Sequence, residues 1–272
     1  MIPIRDVNPT RRTPWITLAV IAANIAIFLL WQPTFSHSEP QTFFFFYCRA
    51  EIPYETTHQT SLADGGVEAR RAIENDLGGE FGSGVGEALQ LDLREECPNK
   101  SWLASVFVAM FLHGGWLHIA GNMLFLWIFG NNIEDRLGRI VFPVFYLLGG
   151  IAATLLQVAF DPDSVIPSVG ASGAIAAVLG AYLVLYPRAR VYTLVIFFFI
   201  TAIELPAVVV LGAWFVLQLF NGVGGIGAEV NSGIAYWAHV GGFVFGVAAA
   251  LLFFRRGTSG REGAYLPPRP DF

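Results

Sequence analysis

The sequence predicts an all-α membrane protein, built as a bundle of six transmembrane helices with a long outer loop after the first helix. Of its 272 residues, 54% are hydrophobic and only 14% are charged, a composition typical of proteins that cross a bilayer several times. Apolar runs of about 17–25 residues are long enough to span the hydrocarbon core. Six such runs, two of them somewhat short, lie at 15–31, 116–129, 141–160, 172–186, 202–220 and 234–254.

The start of the chain predicts a membrane anchor. Residues 1–13 form a short basic cytoplasmic lead, and Trp15 places an indole at the inner membrane face. Residues 14–31 follow as the first transmembrane helix. Because no small-residue cleavage site follows Trp31, we expect this helix to stay in the protein.

The arginines between the spans predict the orientation of the chain. Short cytoplasmic loops are enriched in Lys and Arg. Arginine precedes span one, separates spans two and three and spans four and five, and follows span six, whereas the loops 161–168 and 221–233 contain no basic residue. Both termini are therefore expected in the cytoplasm, with a disordered tail at 257–272. The expected location is the plasma (inner) membrane of a prokaryote.

Residues 32–101 are predicted to form an extracytoplasmic loop without a packed core. The aromatic run 43–47 is too short to span and is expected in the membrane interface, and a weak amphipathic helix is expected over 67–77. The two cysteines of the chain, Cys48 and Cys97, both lie here, on the oxidising side. A disulfide between them would stabilise the fold by about 4 kcal/mol in the chain-entropy model, and two free thiols are the alternative.

Polar residues mark the second span, which opens the predicted five-helix core at 102–256. His118 and Asn122 are four residues apart and so share one helix face, while His113 lies at the helix start. Polar groups inside membrane segments are costly and often functional. A metal site is disfavoured because there is no His-Glu-x-x-His pattern and no third nearby carboxylate ligand. Simple packing, with each polar group bonded to the backbone, is the remaining alternative.

Two further features concern helix ends. The charged corner after span two, which contains Glu134, is expected to satisfy unpaired groups at helix ends. Span five is expected to begin within 201–206, with Glu204 at its cytoplasmic entrance, either capping the helix or reaching out to the interface.

Ser172 stands in the tetrapeptide Gly170-Ala171-Ser172-Gly173, where a polar outer loop meets a long apolar run. It is therefore predicted on the first turn of span four. A helix N-cap or a small packing residue is the alternative interpretation.

Spans four and six carry matching stripes of small residues that predict close packing. The stripes are Ser172, Ala176 and Gly180 in span four, and Ala238, Gly242 and Gly246 in span six. Small residues at every fourth position let two helix backbones approach closely. Since His239 adjoins the second stripe and Ser172 begins the first, this packing would bring imidazole and hydroxyl together.

Taken together, these motifs resemble the rhomboid family of intramembrane serine proteases. The matching segments are His113-x4-His118-x3-Asn122, Gly170-Ala-Ser172-Gly173 and Ala238-His239-x2-Gly242-x3-Gly246, in the family's order. The resemblance implies a rhomboid-like six-helix bundle that cleaves transmembrane protein substrates in the lipid bilayer and uses no cofactor.

The resemblance also implies roles for the residues. Ser172 would be the nucleophile and His239 its general base, forming a dyad. His118, Asn122 and the Ser172 backbone N–H would form the oxyanion hole. Gly170, Gly173, Gly242, Gly246 and His113 would support the site.

Two departures from the family pattern stand out. Ala176 occupies the position where many members carry a Tyr under the catalytic imidazole, so another ring would have to support His239. The Trp-Arg pair common in the family's first outer loop is not recognisable within 32–101.

Competing functions are a catalytically inactive rhomboid-like module that binds membrane proteins or acts in their quality control, and a polytopic transporter. An inactive module has no need for Ser172 and His239 together. A transporter would predict inverted repeats or discontinuous helices, which the sequence does not suggest. The net charge of −5 argues against a nucleic-acid partner.

Overall fold

The computed structural model describes residues 2–33, 39–196, 200–224 and 234–254, so the predicted tail at 257–272 and part of the loop 221–233 lie outside the described residues. The helices are α1 (Trp15–Leu30), α2 (Glu39–Arg49), α3 (Pro53–His58), α4 (Gly66–Phe81), α5 (Val85–Glu96), α6 (Trp102–Ala109), α7 (Trp116–Phe125), α8 (Asn131–Leu137), α9 (Val141–Phe160), α10 (Ser172–Leu185), α11 (Ala207–Gly224) and α12 (Tyr236–Ala249). A π-helical turn, Leu126–Gly130, joins α7 to α8, and another, Ala250–Phe254, extends α12. The strands are β1 (Ile2–Asp6), β2 (Arg190–Ile196) and β3 (Ile200–Pro206).

Each of the six apolar runs contains a helix. Within the described ranges, three helices are long and apolar enough to cross a membrane, namely Val141–Phe160, Ala207–Gly224 and Tyr236–Phe254. Two shorter apolar helices, Trp15–Leu30 and Ser172–Leu185, lie in the first and fourth runs. The chain is thus mostly helical with at least three candidate spans.

Helix α10 is the centre of the bundle. Every residue from Gly173 to Tyr182 is buried, whereas α9 and α12 each bury one side and expose apolar side chains on the other. The ends of a fully surrounded helix are held in place by its neighbours, and Ser172 occupies such an end. The position of Ser172 is therefore set by the whole bundle.

Glycines let α10 and α12 touch backbone to backbone. A Cβ atom added to Gly242 would lie 2.0 Å from the carbonyl oxygen of Gly173, and one added to Gly246 would lie 2.0 Å from that of Ala177. No side chain fits at such distances, so the small-residue stripes meet as their spacing predicts. This contact brings the N-terminal ends of the two helices together.

The predicted start of span five is wrong, because residues 202–206 belong to strand β3 and the helix begins at Ala207. Strands β2 and β3 pair antiparallel from Arg190 opposite Pro206 to Ile196 opposite Ile200, and β1 joins the other edge of β2. Residues 190–206 are rich in β-branched side chains, which favour strands. Pro206 then ends the strand directly before the helix, so Glu204 lies in a sheet rather than at a helix entrance.

The sheet is tied to the bundle through Asp6 at the end of β1. The Asp6 carboxylate accepts hydrogen bonds from the Tyr182 hydroxyl at 2.8 Å and from Asn132 Nδ2 at 2.7 Å. Burial raises the pKa of Asp6 to about 6, and these hydrogen bonds oppose that rise. The N-terminal lead thus contacts both α10 and α8.

Residues 39–101, the outer segment, come from the predicted outer loop and differ from the prediction because they have a core of their own. Helix α4 packs against α5 and α5 packs against α2, and side chains from α2, α3, α4 and α5 belong to one buried apolar cluster. The expected helix over 67–77 is present as α4. The aromatic run 43–47 lies in α2, and Tyr47 is buried. Helices whose individual patterns are weak can fold together when their apolar side chains share one core.

Candidate active site

Ser172 and His239 meet where α10 and α12 begin. The Ser172 Oγ and His239 Nε2 atoms are 2.8 Å apart, which is hydrogen-bond distance. Ser172 is the first residue of α10 and His239 lies on the first turn of α12. A hydroxyl that donates to an imidazole nitrogen is the arrangement that activates a serine nucleophile.

The second imidazole nitrogen has a partner that the sequence analysis missed. His239 Nδ1 is 2.8 Å from Gln218 Oε1, on α11. The Trp214 ring lies beside the same imidazole, with ring centroids 5.7 Å apart and planes tilted by 39°. Helix α11 therefore provides a hydrogen bond and an aromatic neighbour where Ala176 offers neither. The available signal was an amide in an otherwise apolar run, the same signal that marked Asn122.

His118 borders the space beside Ser172. Its Nδ1 accepts a hydrogen bond from the backbone N–H of Gly114 at 3.3 Å, so the ring proton of the neutral imidazole resides on Nε2. A Cβ atom added to Gly170 would lie 2.8 Å from His118 Nε2 and 3.5 Å from Ser172 Oγ. The Nε2–H donor and the serine hydroxyl thus flank the same small space.

Asn122 lies one turn after His118 on α7 and is buried, with 8% of its surface exposed. Among the described residues, its Nδ2 group has no hydrogen-bond partner. A buried amide donor without a partner is costly, by about 1–3 kcal/mol. An unsatisfied buried group calls for an explanation, and a catalytic role is one such explanation.

His113 packs against the ring of His118. The two rings meet edge to face, with centroids 5.1 Å apart, and the His113 side chain is fully buried. Gln32, just after α1, holds the His113 backbone on both sides: its Nε2 donates to the carbonyl and its Oε1 accepts from the N–H at 3.0 Å. Gln32 was not identified from the sequence, because both of its hydrogen bonds reach a residue 81 positions away.

The two glycines beside Ser172 leave room that other residues would fill. Gly170 has a φ of +128°, in the region that favours glycine, and a side chain there would collide with His118. A Cβ atom on Gly173 would lie 2.5 Å from the Cβ of Ala153 on α9. Close contacts at Gly170 and Gly173 therefore leave no room for a larger residue on either side of Ser172.

A cavity opens next to Ser172 between α6, α9 and the starts of α10 and α12. Its lining includes Ser172 and Gln157, several small and apolar residues, and Glu51 from the outer segment. The Gln157 Oε1 atom accepts a hydrogen bond from the backbone N–H of Ala238 at 3.2 Å, so its amide lies at the start of α12. Burial raises the pKa of Glu51 to about 7.

The outer segment is fixed to the loop that precedes Ser172. The backbone N–H of Ser168 donates to the Glu51 carbonyl at 2.7 Å, and that of Tyr54 donates to the Ser164 carbonyl at 2.9 Å. Cys48 and Cys97 are linked as a disulfide, with Cα atoms 5.2 Å apart, which joins α2 to the end of α5. The segment is therefore held against the loop that precedes Ser172.

In the part of the chain that the structure describes, no group of three or more His, Cys, Asp or Glu side chains is placed to hold a metal ion. The three histidines of the site contact Ser172, Gln218, the backbone of Gly114 and one another.

Comparison with known proteins gives a family match and several relatives. A family model described as the rhomboid domain matches residues 100–256, more than half of the chain. RHOMBOID-like protein 6, mitochondrial, from Arabidopsis thaliana is 26% identical over 261 residues, which cover 93% of this chain and 73% of the relative.

Two other relatives are similar over different lengths. Rhomboid protein 1, mitochondrial, from Saccharomyces cerevisiae is 32% identical over 148 residues, covering 53% of this chain and 40% of the relative. RHOMBOID-like protein 1 from Arabidopsis thaliana is 27% identical over 262 residues, covering 94% of this chain and 57% of the relative. The chain thus spans about half the length of these two relatives.

Proposed function

Because the chain belongs to the rhomboid family, we propose that it is an intramembrane serine endopeptidase that hydrolyses peptide bonds of transmembrane protein substrates near the outer membrane face. The observation that carries the proposal is the 2.8 Å hydrogen bond between Ser172 Oγ and His239 Nε2. An inactive membrane-protein-binding module has no need for this pair in bonding geometry.

The proposed chemistry proceeds through an acyl-enzyme. His239 Nε2 takes the Ser172 proton as Oγ attacks the substrate carbonyl carbon, and the same proton then passes to the leaving amine as the peptide bond breaks. Water, deprotonated in turn by His239, attacks the ester and releases Ser172 with its proton restored. No cofactor or metal takes part in these steps.

The developing oxyanion is proposed to bind between α7 and the start of α10. His118 Nε2–H, the Asn122 amide and the backbone N–H of Ser172 are the donors. Two features support this role: the Asn122 amide has no partner among the described residues, and His118 Nε2 lies beside Gly170. The N-terminal end of α10 adds a favourable dipole.

The proposed topology has six spans, with both termini cytoplasmic and residues 32–101 outside. It is supported by the arginine distribution and by a helix in each apolar run. Under this topology the catalytic core is 102–256, and Ser172 and His239 lie at helix ends on the outer side, where the cavity is expected to receive water. The plasma membrane of a prokaryote remains the proposed location, although the names of several relatives place those proteins in mitochondria or chloroplasts.

A cleavage assay tests the proposal. Purified full-length protein in detergent or liposomes is incubated with a single-span membrane protein carrying helix-destabilising residues near the outer face. We expect cleavage by the wild type and none by Ser172→Ala. Ser105→Ala is the matched control, because this buried hydroxyl on α6 donates to the Trp102 carbonyl at 2.7 Å, away from the site. Equal cleavage by Ser172→Ala and wild type would refute the proposal.

A further inference from the structure

Gln218 is a polar side chain in an otherwise apolar part of a helix. It lies on α11 among Leu217, Leu219 and Phe220, all of which are exposed on the surface of the bundle. An amide in a membrane-spanning run is costly unless it has a partner. Its Oε1 is directed inward, 2.8 Å from His239 Nδ1.

The hydrogen bond between Gln218 Oε1 and His239 Nδ1 decides which tautomer His239 adopts. A neutral imidazole has one N–H donor and one acceptor nitrogen. To take the proton of Ser172, His239 must present its unprotonated Nε2, so the proton must be on Nδ1. An amide oxygen can only accept, and Gln218 Oε1 therefore stabilises the Nδ1–H form. The opposite tautomer would donate from Nε2 to Ser172 Oγ and could not act as a base.

No other described contact of the His239 ring favours one tautomer over the other. The Trp214 ring restricts the imidazole plane but does not distinguish the two nitrogens. Within the described part of the chain, the ring nitrogens of His239 bond only to Ser172 and Gln218.

We propose that Gln218 is a positioning residue that holds His239 as the Nδ1–H tautomer, so that the site works as a Ser172–His239–Gln218 triad with an amide as its third member. The proposal rests on the proposed protease function. It extends the dyad implied by the family resemblance, since an orienting acceptor comes from α11, a helix that carries neither Ser172 nor His239.

Substitutions at Gln218 separate positioning from packing. Gln218→Leu keeps a similar volume but has no acceptor, so kcat should fall by about 10²-fold or more, the size of general-base catalysis, with KM little changed. Gln218→Glu restores an acceptor and should retain much more activity than Gln218→Leu. Asn221→Leu is the control, because Asn221 is exposed one turn later on α11 and should leave kcat unchanged. Wild-type kcat in Gln218→Leu, or equal losses in the Leu and Glu variants, would overturn the proposal.

A second readout does not depend on proteolysis. Nitrogen-15 NMR of the His239 ring, assigned by comparison with His239→Ala, reports which nitrogen carries the proton. We expect the Nδ1–H form in the wild type and in Ser172→Ala, and a shift toward the other tautomer in Gln218→Leu. An unchanged tautomer in Gln218→Leu would refute the positioning role even if Ser172 proves essential for cleavage. Conversely, a failed cleavage assay with the expected tautomer shift would refute the protease function alone.

Discussion

Glu134 and Thr17 are joined by two hydrogen bonds, because the Glu134 carboxylate accepts one from the Thr17 backbone N–H at 2.7 Å and one from its hydroxyl at 2.8 Å. A third comes from the backbone N–H of Ile16 at 3.0 Å. Both Glu134 and Thr17 are buried. The free N–H groups at the start of α1 are thus satisfied by a carboxylate from α8, as the sequence suggested for this charged corner.

Removing this carboxylate should destabilise the protein strongly. Glu134→Ala leaves three donors unpaired, two of them buried. Each buried donor without a partner lowers the stability by about 1–3 kcal/mol. We expect a lower midpoint of thermal unfolding in detergent, with a smaller decrease for Glu134→Gln, which keeps one acceptor oxygen. Asp135→Ala is the control, since among the described residues that carboxylate accepts one exposed hydrogen bond, from the Arg11 backbone N–H at 3.2 Å. A Glu134→Ala variant as stable as Asp135→Ala would contradict this role.

The close contact between α10 and α12 should leave no room for a side chain at Gly246. Gly246→Val places a branched side chain where even a Cβ atom would lie 2.0 Å from the Ala177 carbonyl oxygen. The helices must then separate, so activity should be lost without any change in the reacting groups. Gly212→Ala on α11 is the control, because its Cβ would meet nothing within 4 Å. Full activity in Gly246→Val would show that the close contact is not needed.

The oxyanion donors should give a partial loss rather than a complete one. Asn122→Ala removes one donor and leaves the Ser172 to His239 proton transfer open. Loss of one such donor typically costs about 10²–10³ in kcat, or about 2.7–4 kcal/mol. Single-turnover cleavage would measure this. A wild-type rate would refute the assignment of Asn122 and leave the dyad intact.

Glu51 should make the stability of the outer segment depend on pH. Burial raises its pKa from 4.5 to about 7, so the folded state favours the protonated acid. Its contribution to stability is then complete below about pH 4.5 and is lost as the pH rises through 7, by about 3 kcal/mol in all.

Comparing the wild type with Glu51→Gln separates the contribution of Glu51 to stability from those of the nearby Glu55 and Lys100. The neutral amide does not titrate, so the variant should gain stability relative to the wild type between pH 5 and pH 8. Unfolding midpoints measured at both pH values test this. If the difference in stability between the two proteins does not change with pH, the raised pKa of Glu51 is contradicted.

The residues that could be predicted from the sequence are those with a regular spacing. Small residues at every fourth position in two runs predicted which helix faces meet, and that contact alone brings His239 to Ser172. The spacing of His118 and Asn122 likewise placed both on one face of α7. Each of these predictions depends on helix geometry, which repeats along a chain.

The features that were missed depend on tertiary partners. Gln218 acts on a residue of another helix, and no spacing within α11 indicates the direction of its amide. The stretch that contains β2 and β3 is as apolar as a membrane helix, and its composition does not reveal that β2 pairs with both β1 and β3. The outer segment has weak local patterns, and only the packing of four helices on one another creates its core.

Covalent labelling tests the central claim most directly. A fluorophosphonate probe reacts with a serine whose hydroxyl is activated by a neighbouring base. Incubated with the purified full-length protein and followed by peptide mass mapping, the probe should attach to Ser172, and labelling should be lost in both Ser172→Ala and His239→Ala. Labelling that persists in Ser172→Ala, or a folded wild type that stays unlabelled while a known serine hydrolase in the same detergent reacts, would contradict the assignment of Ser172 as an activated nucleophile.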